Sequence, residues 1–279
     1  DVMGGDTTGR QSPSGYREFD YDVKGKIALS GKSSVTFAFQ SVNQNDVPVY
    51  HKVVLENYLV NKTDPQIRKL AYLRLNQVLN RGILKSAVVT GSFQHTDEGR
   101  KMQKNGSYIL RKESDKVSTY GLSGELLFSS STIWNGNIGV DFYSDLVRSS
   151  RTDTDLQTDE SVSKRGLYPD GSSMTSAALF STHSINLDDW ILSAGARFNT
   201  FSIKVKDEAN GTSRLTPDAI VGNIGILRKI TATDGLFVSL NTGFRAPNID
   251  DLGTLGIVDF RYETPNFDLK SEKSFQYQF

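Results

Sequence analysis

The sequence is dominated by an alternation of apolar and polar residues with a period of two, repeated in many separate segments. In residues 190–199, for example, Trp190 and Phe198 occupy one set of alternate positions and Arg197 the other. Successive side chains of a β-strand point to opposite faces, so this pattern predicts a strand with one apolar and one polar face. Because the pattern recurs along most of the chain, we predict an all-β, antiparallel protein.

The alternating segments predict about ten to twelve strands, with ends that are soft by several residues. They cover 16–30, 34–43, 66–76, 83–96, 108–129, 134–147, 174–187, 190–205, 217–230, 235–246 and the start of one at 273–279. A helix competes in one place only, residues 66–80, where Ile67, Leu70, Ala71, Leu75 and Val78 fall at helical spacing. Both structures remain open for that segment.

The connections between these segments alternate in length. Short polar turns at 31–34, 130–133, 187–189 and 231–235 alternate with long polar stretches at 43–64, 97–114, 148–173, 206–216 and 247–272. Short turns on one side and long loops on the other are typical of a transmembrane β-barrel, and soluble domains rarely carry so many long loops. A soluble β-sandwich, with one packed and one solvated face, is the alternative.

Two of these patterns add detail to the barrel prediction. Aromatic residues such as Trp134 and Trp190 stand near the ends of the predicted strands, as in the aromatic girdles of membrane barrels. The stretch 148–173 has almost no apolar residues, so we expect it to be a surface loop.

The composition narrows the possible functions. The chain has no apolar run of about 18 residues, which excludes a transmembrane helix but not a spanning strand of about 9–11 residues. Its 32 basic and 32 acidic residues argue against nucleic-acid binding, which needs an excess of cations. There is no cysteine, so disulfides, thiol catalysis and thiolate metal sites are absent.

The sequence offers no motif for catalysis. Residues 25–33 come near a phosphate-binding loop but have five residues between the two glycines where the motif has four. His51, His95 and His183 lack the spacing of a metal-binding motif, and no G-x-S-x-G nucleophile elbow is present. We therefore predict that the protein is not an enzyme and has no catalytic residue and no cofactor.

A cluster of acidic residues could be taken for a calcium site. It comprises Asp153, Asp155, Asp159 and Glu160. The cluster lacks the glycine that an EF-hand loop requires after its first ligands. We interpret it as part of a solvated loop and predict no metal site.

The most specific stretch of the chain is 243–274. Phe244, Arg245, Ala246 and Pro247 form an intact "FRAP" box, and residues 264–274 form a degraded version of an "NPNL…PE" box. With the W-x-L-x-A-G-x-R-F pattern of residues 190–198, these boxes resemble the barrel of TonB-dependent outer-membrane receptors. The resemblance covers residues 100–279 well and the first hundred residues loosely. It implies structural roles for Phe244, Ala246, Pro247, Pro265, Asn266, Leu269 and Glu272.

The same resemblance implies candidate binding residues in the loop and the lumen. These are Arg245, Asn248, Asp250, Asp251 and Tyr262. The alternation places Arg245 on the polar face, where it would form a structural ion pair in preference to a substrate contact. Pro247 cannot donate to a sheet ladder and should end the strand, after which Asn248, Asp250 and Asp251 would cap the exit.

The cargo is not specified by these boxes. In haem receptors of this family a histidine between the boxes binds haem, but residues 248–263 contain none. Tyr262 is the one residue there of an axial-ligand type, and a poor match. The box also occurs in siderophore and cobalamin receptors, so the choice among these cargoes stays open.

Length limits how much of such a receptor this chain can form. A family member has a plugged, 22-stranded barrel, and 279 residues are too few for that many strands with long loops. We therefore expect residues 1–279 to form one antiparallel β-barrel segment with long extracellular loops. It should be a partial barrel, truncated at both ends and lacking the N-terminal plug domain.

The resemblance implies a receptor in the outer membrane of a Gram-negative bacterium, which takes up an iron-siderophore, haem or cobalamin-like nutrient. Its partners would be outer-membrane lipid, a small-molecule or protein-borne cargo, and the TonB system acting through the plug; nucleic acid is not expected. The alternatives are a passive porin-like or structural barrel, and a soluble carbohydrate-binding β-protein.

Overall fold

A computed structural model describes residues 12–130, 132–207, 211–258 and 261–279. These residues form sixteen strands and two short helices. In chain order they are β1 (Arg17–Ala28), β2 (Ser33–Asn45), β3 (Val47–Pro48), α1 (Tyr50–Leu55), β4 (Tyr58–Arg81), β5 (Leu84–Lys104), β6 (Ile109–Ser130), β7 (Trp134–Asp155), β8 (Ser161–Lys164), β9 (Ser173–Leu187), β10 (Trp190–Asp207), β11 (Gly211–Leu215), β12 (Asp218–Lys229), β13 (Gly235–Arg245), α2 (Ile249–Gly253), β14 (Gly256–Val258), β15 (Arg261–Glu263) and β16 (Glu272–Gln278).

Fourteen of the strands belong to one antiparallel sheet. Eleven of them form its backbone in the order β1-β2-β4-β5-β6-β7-β9-β10-β12-β13-β16, while β3, β8 and β11 pair at its margin. Strands β14 and β15 form a separate small hairpin. Consecutive strands are neighbours throughout, which is the simple up-and-down arrangement that barrels use.

The predicted antiparallel β fold is confirmed, and the eleven strands of the main path correspond to the predicted ten to twelve, while the five short strands were not predicted. Within the described residues, β1 and β16 stand at the two ends of the sheet and are not paired with each other, so the sheet is an open wall. The ambiguous segment 66–80 is strand, not helix, because Leu75 pairs with Val35 of β2 and with Val89 of β5. The helical spacing of its apolar residues has no consequence in this context.

The strand register aligns the apolar residues of successive strands into one row. Directly paired residues share a face of the sheet. The row crosses nine strands and contains Ile27, Val35, Leu75, Val89, Gly124, Val140, Leu179, Phe198 and Ile220. We call the face that carries it the apolar face, and its residues are largely uncovered: Ile220 is 77% exposed and Val140 is 53% exposed.

The next residue along each strand belongs to the opposite, polar face. The corresponding row contains Lys26, Thr36, Arg74, Thr90, Ser123, Asp141, Ala178, Asn199 and Ala219. An ion pair crosses it, since the Arg197 guanidinium donates to the Asp141 carboxylate at 2.7 Å. A soluble sandwich would cover its apolar face with a second sheet, and no described segment does so here.

All five predicted long loops contain strand, so their extents are wrong. β4 begins at Tyr58 within 43–64, β11 lies within 206–216, and β14 and β15 lie within 247–272. Within the predicted loop 97–114, β5 continues to Lys104 and β6 begins at Ile109. Within 148–173, β7 continues to Asp155, and β8 pairs back onto it. The extensions of β5 and β7 are mostly polar and are joined by cross-strand ion pairs, such as that between Arg100 and Asp115. Apolar alternation therefore could not reveal them, whereas the start of β6 agrees with the predicted strand at 108–129.

Helices contribute little to the fold. The two described helices have six and five residues. Across the ranges that the structure describes, no helix has both the length and the apolar character needed to cross a membrane.

Candidate functional site

A small buried core lies on the polar face of the sheet, near the ends that carry the long connections. Ile203 and Val205 of β10 are almost completely buried there, with Val147 of β7 beside them. Ile249 and Leu252 of α2 complete the cluster. Each such side chain contributes about 1.5–3 kcal/mol when removed from water. This core attaches the segment after β13 to the wall.

The start of α2 is fixed by a reciprocal capping arrangement. The Asn248 side chain accepts a hydrogen bond from the Asp251 backbone amide at 2.8 Å. The Asp251 carboxylate in turn accepts one from the Asn248 backbone amide at 2.9 Å. Two amide groups that a helix start leaves unpaired are thus satisfied. Asn248 and Asp251 were expected to cap the exit of the strand, and in the structure they cap the start of α2 instead.

Replacing Asn248 with alanine is expected to weaken α2 locally. Loss of an N-cap side chain costs about 1 kcal/mol. Hydrogen exchange of the Asp251 and Leu252 amides should therefore speed up by about fivefold. An Asn248→Asp variant keeps an acceptor at the cap and is the matched control. Unchanged exchange in the alanine variant would show that the cap does not hold α2.

Arg165 is the main polar link between this segment and the wall. Its guanidinium pairs with the Asp207 carboxylate at 2.8 Å, and the Asp207 side chain is only 1% exposed. The same guanidinium donates to the Gly253 carbonyl at 2.6 Å, and to the Gly166 and Leu167 carbonyls at 3.0 and 3.1 Å. One side chain thus joins β10, the segment before β9 and the end of α2.

The segment that contains Arg165 packs closely against α2. The Leu255 amide donates to the Leu167 carbonyl at 3.2 Å. A Cβ atom on Gly253 would lie 2.4 Å from the Pro169 side chain, so only glycine fits this contact. Burial, with the Asp250 carboxylate nearby, raises the pKa of Tyr168 to about 12, and the phenol stays protonated. We call residues 165–169 together with α2 the inner latch.

The first box joins the sheet to the inner latch. β13 ends at Arg245, and Pro247 follows, which agrees with the expected end of the strand. The Arg245 guanidinium donates to both oxygens of Asp251 at 2.8 Å and to Glu272 at 2.7 Å. Ala246 is buried, and the Phe244 ring lies 6.0 Å from the Phe201 ring.

The second box returns the chain to the sheet. The Asn266 amide donates to the Leu252 carbonyl at 3.0 Å, and its side chain accepts from the Asp268 amide at 3.0 Å. Leu269 packs against the buried core, and Pro265 is half-buried. Glu272 opens β16 directly opposite Arg245. The two boxes, far apart in sequence, are therefore neighbours around α2.

A cleft of about 440 Å³ opens between the two boxes. Its lining includes Arg245, Pro247, Asp250, Asp251, Thr254, Glu263, Thr264, Leu269, Lys270 and Glu272. Three of the predicted binding residues line it. Asn248 does not, because it caps α2. Tyr262 does not line it either, and stands 69% exposed on β15.

The charges of the cleft are partly neutralised internally. The cleft is lined by four carboxylates, and Arg245 forms ion pairs with two of them, Asp251 and Glu272. This agrees with the structural ion pair expected for Arg245. Asp250 accepts a hydrogen bond from the Thr254 hydroxyl at 2.6 Å. Among the described residues, no group of three or more histidine, cysteine or acidic side chains is placed to hold a metal ion.

The acidic cluster at 153–160 is ordered by cations. Asp153 is nearly buried and forms ion pairs with Arg111, Arg151 and Lys164 at 3.2, 2.5 and 3.0 Å. Asp155 instead accepts from the Gln157 amide in a tight turn. The expected solvated loop is therefore wrong for Asp153, because three cations replace the water around its carboxylate.

No sequence motif pointed to Arg165, Asp207 or Leu252, which connect the inner latch to the wall. Arg165 and Asp207 are 42 positions apart, and no spacing rule links them. One indirect signal was available. Ile203 and Val205 continue the polar face of β10 beyond Arg197, and apolar residues on a wet face indicate that another segment covers them.

Solved structures with a similar fold include transporters and receptors. The copper transporter OprC aligns with a TM-score of 0.76 at 13% identity, over 94% of this chain and 42% of its own. The hemophore receptor HasR of Serratia marcescens, solved with its hemophore HasA and heme, aligns with a TM-score of 0.68 at 13% identity, over 94% of this chain and 41% of its own.

A third structure, the ferric citrate transporter FecA without ligand, has a TM-score of 0.67 at 13% identity, over 86% of this chain and 38% of its own. The present chain thus spans about two fifths of the length of these proteins. At such low identity the likeness shows the fold alone. No curated protein sequence matches the chain.

The family model for the TonB dependent receptor-like β-barrel matches residues 4–279, almost the whole chain. The eleven-strand antiparallel wall, the short and long connections and the two boxes around α2 agree with that match. The chain therefore belongs to the TonB dependent receptor-like β-barrel family.

Proposed function

We propose that this chain forms part of the barrel wall of a receptor in the outer membrane of a Gram-negative bacterium. The receptor takes up a scarce nutrient, such as an iron-siderophore, haem or a cobalamin-like compound. The observation that carries the proposal is the apolar row that crosses nine strands on one face, opposite a polar row on the other. A wall with one lipid-facing and one lumen-facing surface has this arrangement.

The height of the apolar face matches the thickness of a lipid bilayer, which supports the proposal that the sheet spans one. On β7 the apolar face extends from Trp134 to Leu146. At about 3.3 Å per residue this is about 40 Å of strand, which a tilt of about 45° reduces to about 28 Å. The hydrocarbon core of a bilayer is about 30 Å thick.

Aromatic side chains lie at the short-turn edge of the apolar face. The Phe128 and Trp134 rings stack at 6.3 Å, and the Arg228 guanidinium lies 5.2 Å from the Trp190 ring. Rings at this level suit the membrane interface, where one side of an aromatic is apolar and the other wet. This supports the predicted aromatic girdle.

The inner latch supports transport of a specific cargo over passive diffusion. It packs on the polar face of the sheet, and in the proposed barrel that face and the cleft would border the lumen. In the proposed mechanism, cargo binds the long loops and a plug domain in the barrel, and TonB then drives release inward through that plug. Asp250 would contact cargo at the mouth, while Arg245 and Asp251 keep their structural ion pair and this wall stays fixed.

Deletion of the full-length gene tests the proposal. Growth should fail on one class of source, supplied singly as ferric siderophores, haem or cobalamin. The gene on a plasmid should restore growth only in cells with an intact TonB system. Restoration without TonB would support the passive, porin-like alternative, and normal growth of the deletion strain on every source would contradict nutrient uptake.

A further inference from the structure

Five cationic side chains lie on the same face of the sheet as the apolar row. They stand between the apolar side chains and the long connections. They are Lys116, Arg148, Lys204, Lys206 and Arg214, and we call them the cationic strip. All five are exposed. On β7 the strip begins directly above the last apolar residue of that face, because Arg148 follows Leu146 by two positions.

The register brings these cations together in two like-charged pairs. Lys116 lies directly opposite Arg148, and Lys204 lies directly opposite Arg214. Like charges in direct cross-strand pairs destabilise a sheet. Lys204 and Arg214 have no carboxylate partner among the described residues, so an external anion would offset the repulsion in that pair.

Arg148 and Lys206 meet over Gly171. The position of a Cβ on Gly171 would lie 3.8 Å from an Arg148 guanidinium nitrogen and 3.8 Å from the Lys206 amine. Both cationic groups therefore border the same gap above Gly171, which is open because glycine has no side chain. A single phosphate group placed over Gly171 would contact both cations.

Carboxylates on the sheet do not neutralise the strip. Asp97 pairs with Lys116 at 3.1 Å, and Asp170 lies 3.5 Å from Arg148. Within the described ranges, Lys204, Lys206 and Arg214 have no ion pair, so five cations face two carboxylates.

A neighbouring pair on the same sheet is different. Lys62 and Lys101 also lie opposite each other, but Asp46 and Asp64 bind them at 2.5 Å. The protein thus supplies a carboxylate for each member of that pair, and also for Lys116 and Arg148. Among the described residues it supplies none for Lys204, Lys206 and Arg214, where an external anion would balance the charge.

We propose that the cationic strip is a docking site for the phosphate groups of an anionic membrane lipid. The inference rests on the proposed function, since it requires the apolar face to lie in a bilayer. A lipid fits better than a soluble anion because the strip continues the apolar face: acyl chains would lie along residues such as Leu146 and Phe198 while phosphate meets Arg148 and Lys206. Basic residues beside a membrane surface recruit such headgroups.

The test uses the full-length receptor in nanodiscs of phosphatidylcholine that contain a minor fraction of phosphatidic acid. Native mass spectrometry counts the phosphatidic acid retained on the protein. The test variant combines Arg148→Gln with Lys206→Gln. The control combines Lys24→Gln with Lys26→Gln, which removes the same charge from the polar face. Heat-dependent mobility on gels confirms folding of each protein.

The wild-type protein should retain phosphatidic acid over phosphatidylcholine, and the test variant should lose that preference by about thirtyfold, the factor for two cations at an anionic surface. The control should behave as wild type, and added inorganic phosphate should not displace the lipid. If the test variant does not fold, Lys204→Gln with Arg214→Gln replaces it.

Equal retention by wild type and variant, equal loss in the control, or displacement by inorganic phosphate would overturn the lipid site. These outcomes leave the proposed function standing. Failure of the wild-type protein to insert into any bilayer would overturn both.

Discussion

Replacement of Val140 with arginine is expected to destabilise the membrane-inserted barrel by about 2–4 kcal/mol, the cost of a cation at the bilayer midplane of a barrel. Val140 lies midway between Trp134 and Leu146 on the apolar face of β7 and is 53% exposed. The exposed side chain has no described partner that could neutralise a charge. Reversible denaturant unfolding of the full-length receptor in phospholipid vesicles would measure the difference.

The matched control for the Val140→Arg variant is Ser123→Arg. Ser123 lies in the adjacent row on the polar face, directly opposite Asp141. Its arginine would be solvated and near a carboxylate, so the change should stay within about 0.5 kcal/mol. Equal costs for the two variants would show that the two faces do not differ in environment, and the bilayer assignment would fall.

Replacement of Arg165 with methionine is expected to release the inner latch. Breaking a buried ion pair by removing one partner costs about 3–5 kcal/mol. Asp207, with its side chain 1% exposed, would lose its contact with the Arg165 guanidinium, and the Gly253 carbonyl would lose its 2.6 Å donor. Hydrogen exchange of amides 249–255 should accelerate by more than a hundredfold, while the amides of β6 and β7 should stay protected.

A double variant separates this effect from a general loss of stability. Asp207→Asn combined with Arg165→Met removes the buried charge, so much of the lost protection should return. If the single variant exchanges like wild type at 249–255, Arg165 does not hold the latch. If the double variant is worse than the single, the Asp207 charge is not the cause.

The sheet could be predicted almost strand by strand from the sequence. Apolar and polar side chains alternate along each strand, so only one pairing register keeps all the apolar side chains on the same face of the sheet. A shift of one residue in that pairing would exchange the two faces. Segments such as 190–205 and 235–246 therefore agree with β10 and β13 to within two residues. The first box also predicted correctly where β13 ends, because Pro247 lacks the amide that a ladder needs.

The upper parts of the sheet and the inner latch could not be predicted in this way. Strands β5 and β7 extend through polar sequence because ion pairs such as Arg151–Asp153 hold them, and these leave no apolar period. The latch depends on Arg165 and Leu252, which meet the wall only after the chain has returned across the sheet. The local pattern indicated only that some segment covers Ile203 and Val205, and it could not identify that segment.

The proposal that this sheet is a membrane wall is tested most directly by measuring, at each of residues 138–143 of β7, whether the side chain is accessible to lipid or to water. The chain has no cysteine, so single cysteines can be introduced and spin-labelled without background from this segment. In bilayers, labels at 138, 140 and 142 should collide mainly with oxygen, and labels at 139, 141 and 143 mainly with a water-soluble nickel chelate. A barrel wall predicts this strict alternation. Uniform access to the chelate at all six positions would contradict it.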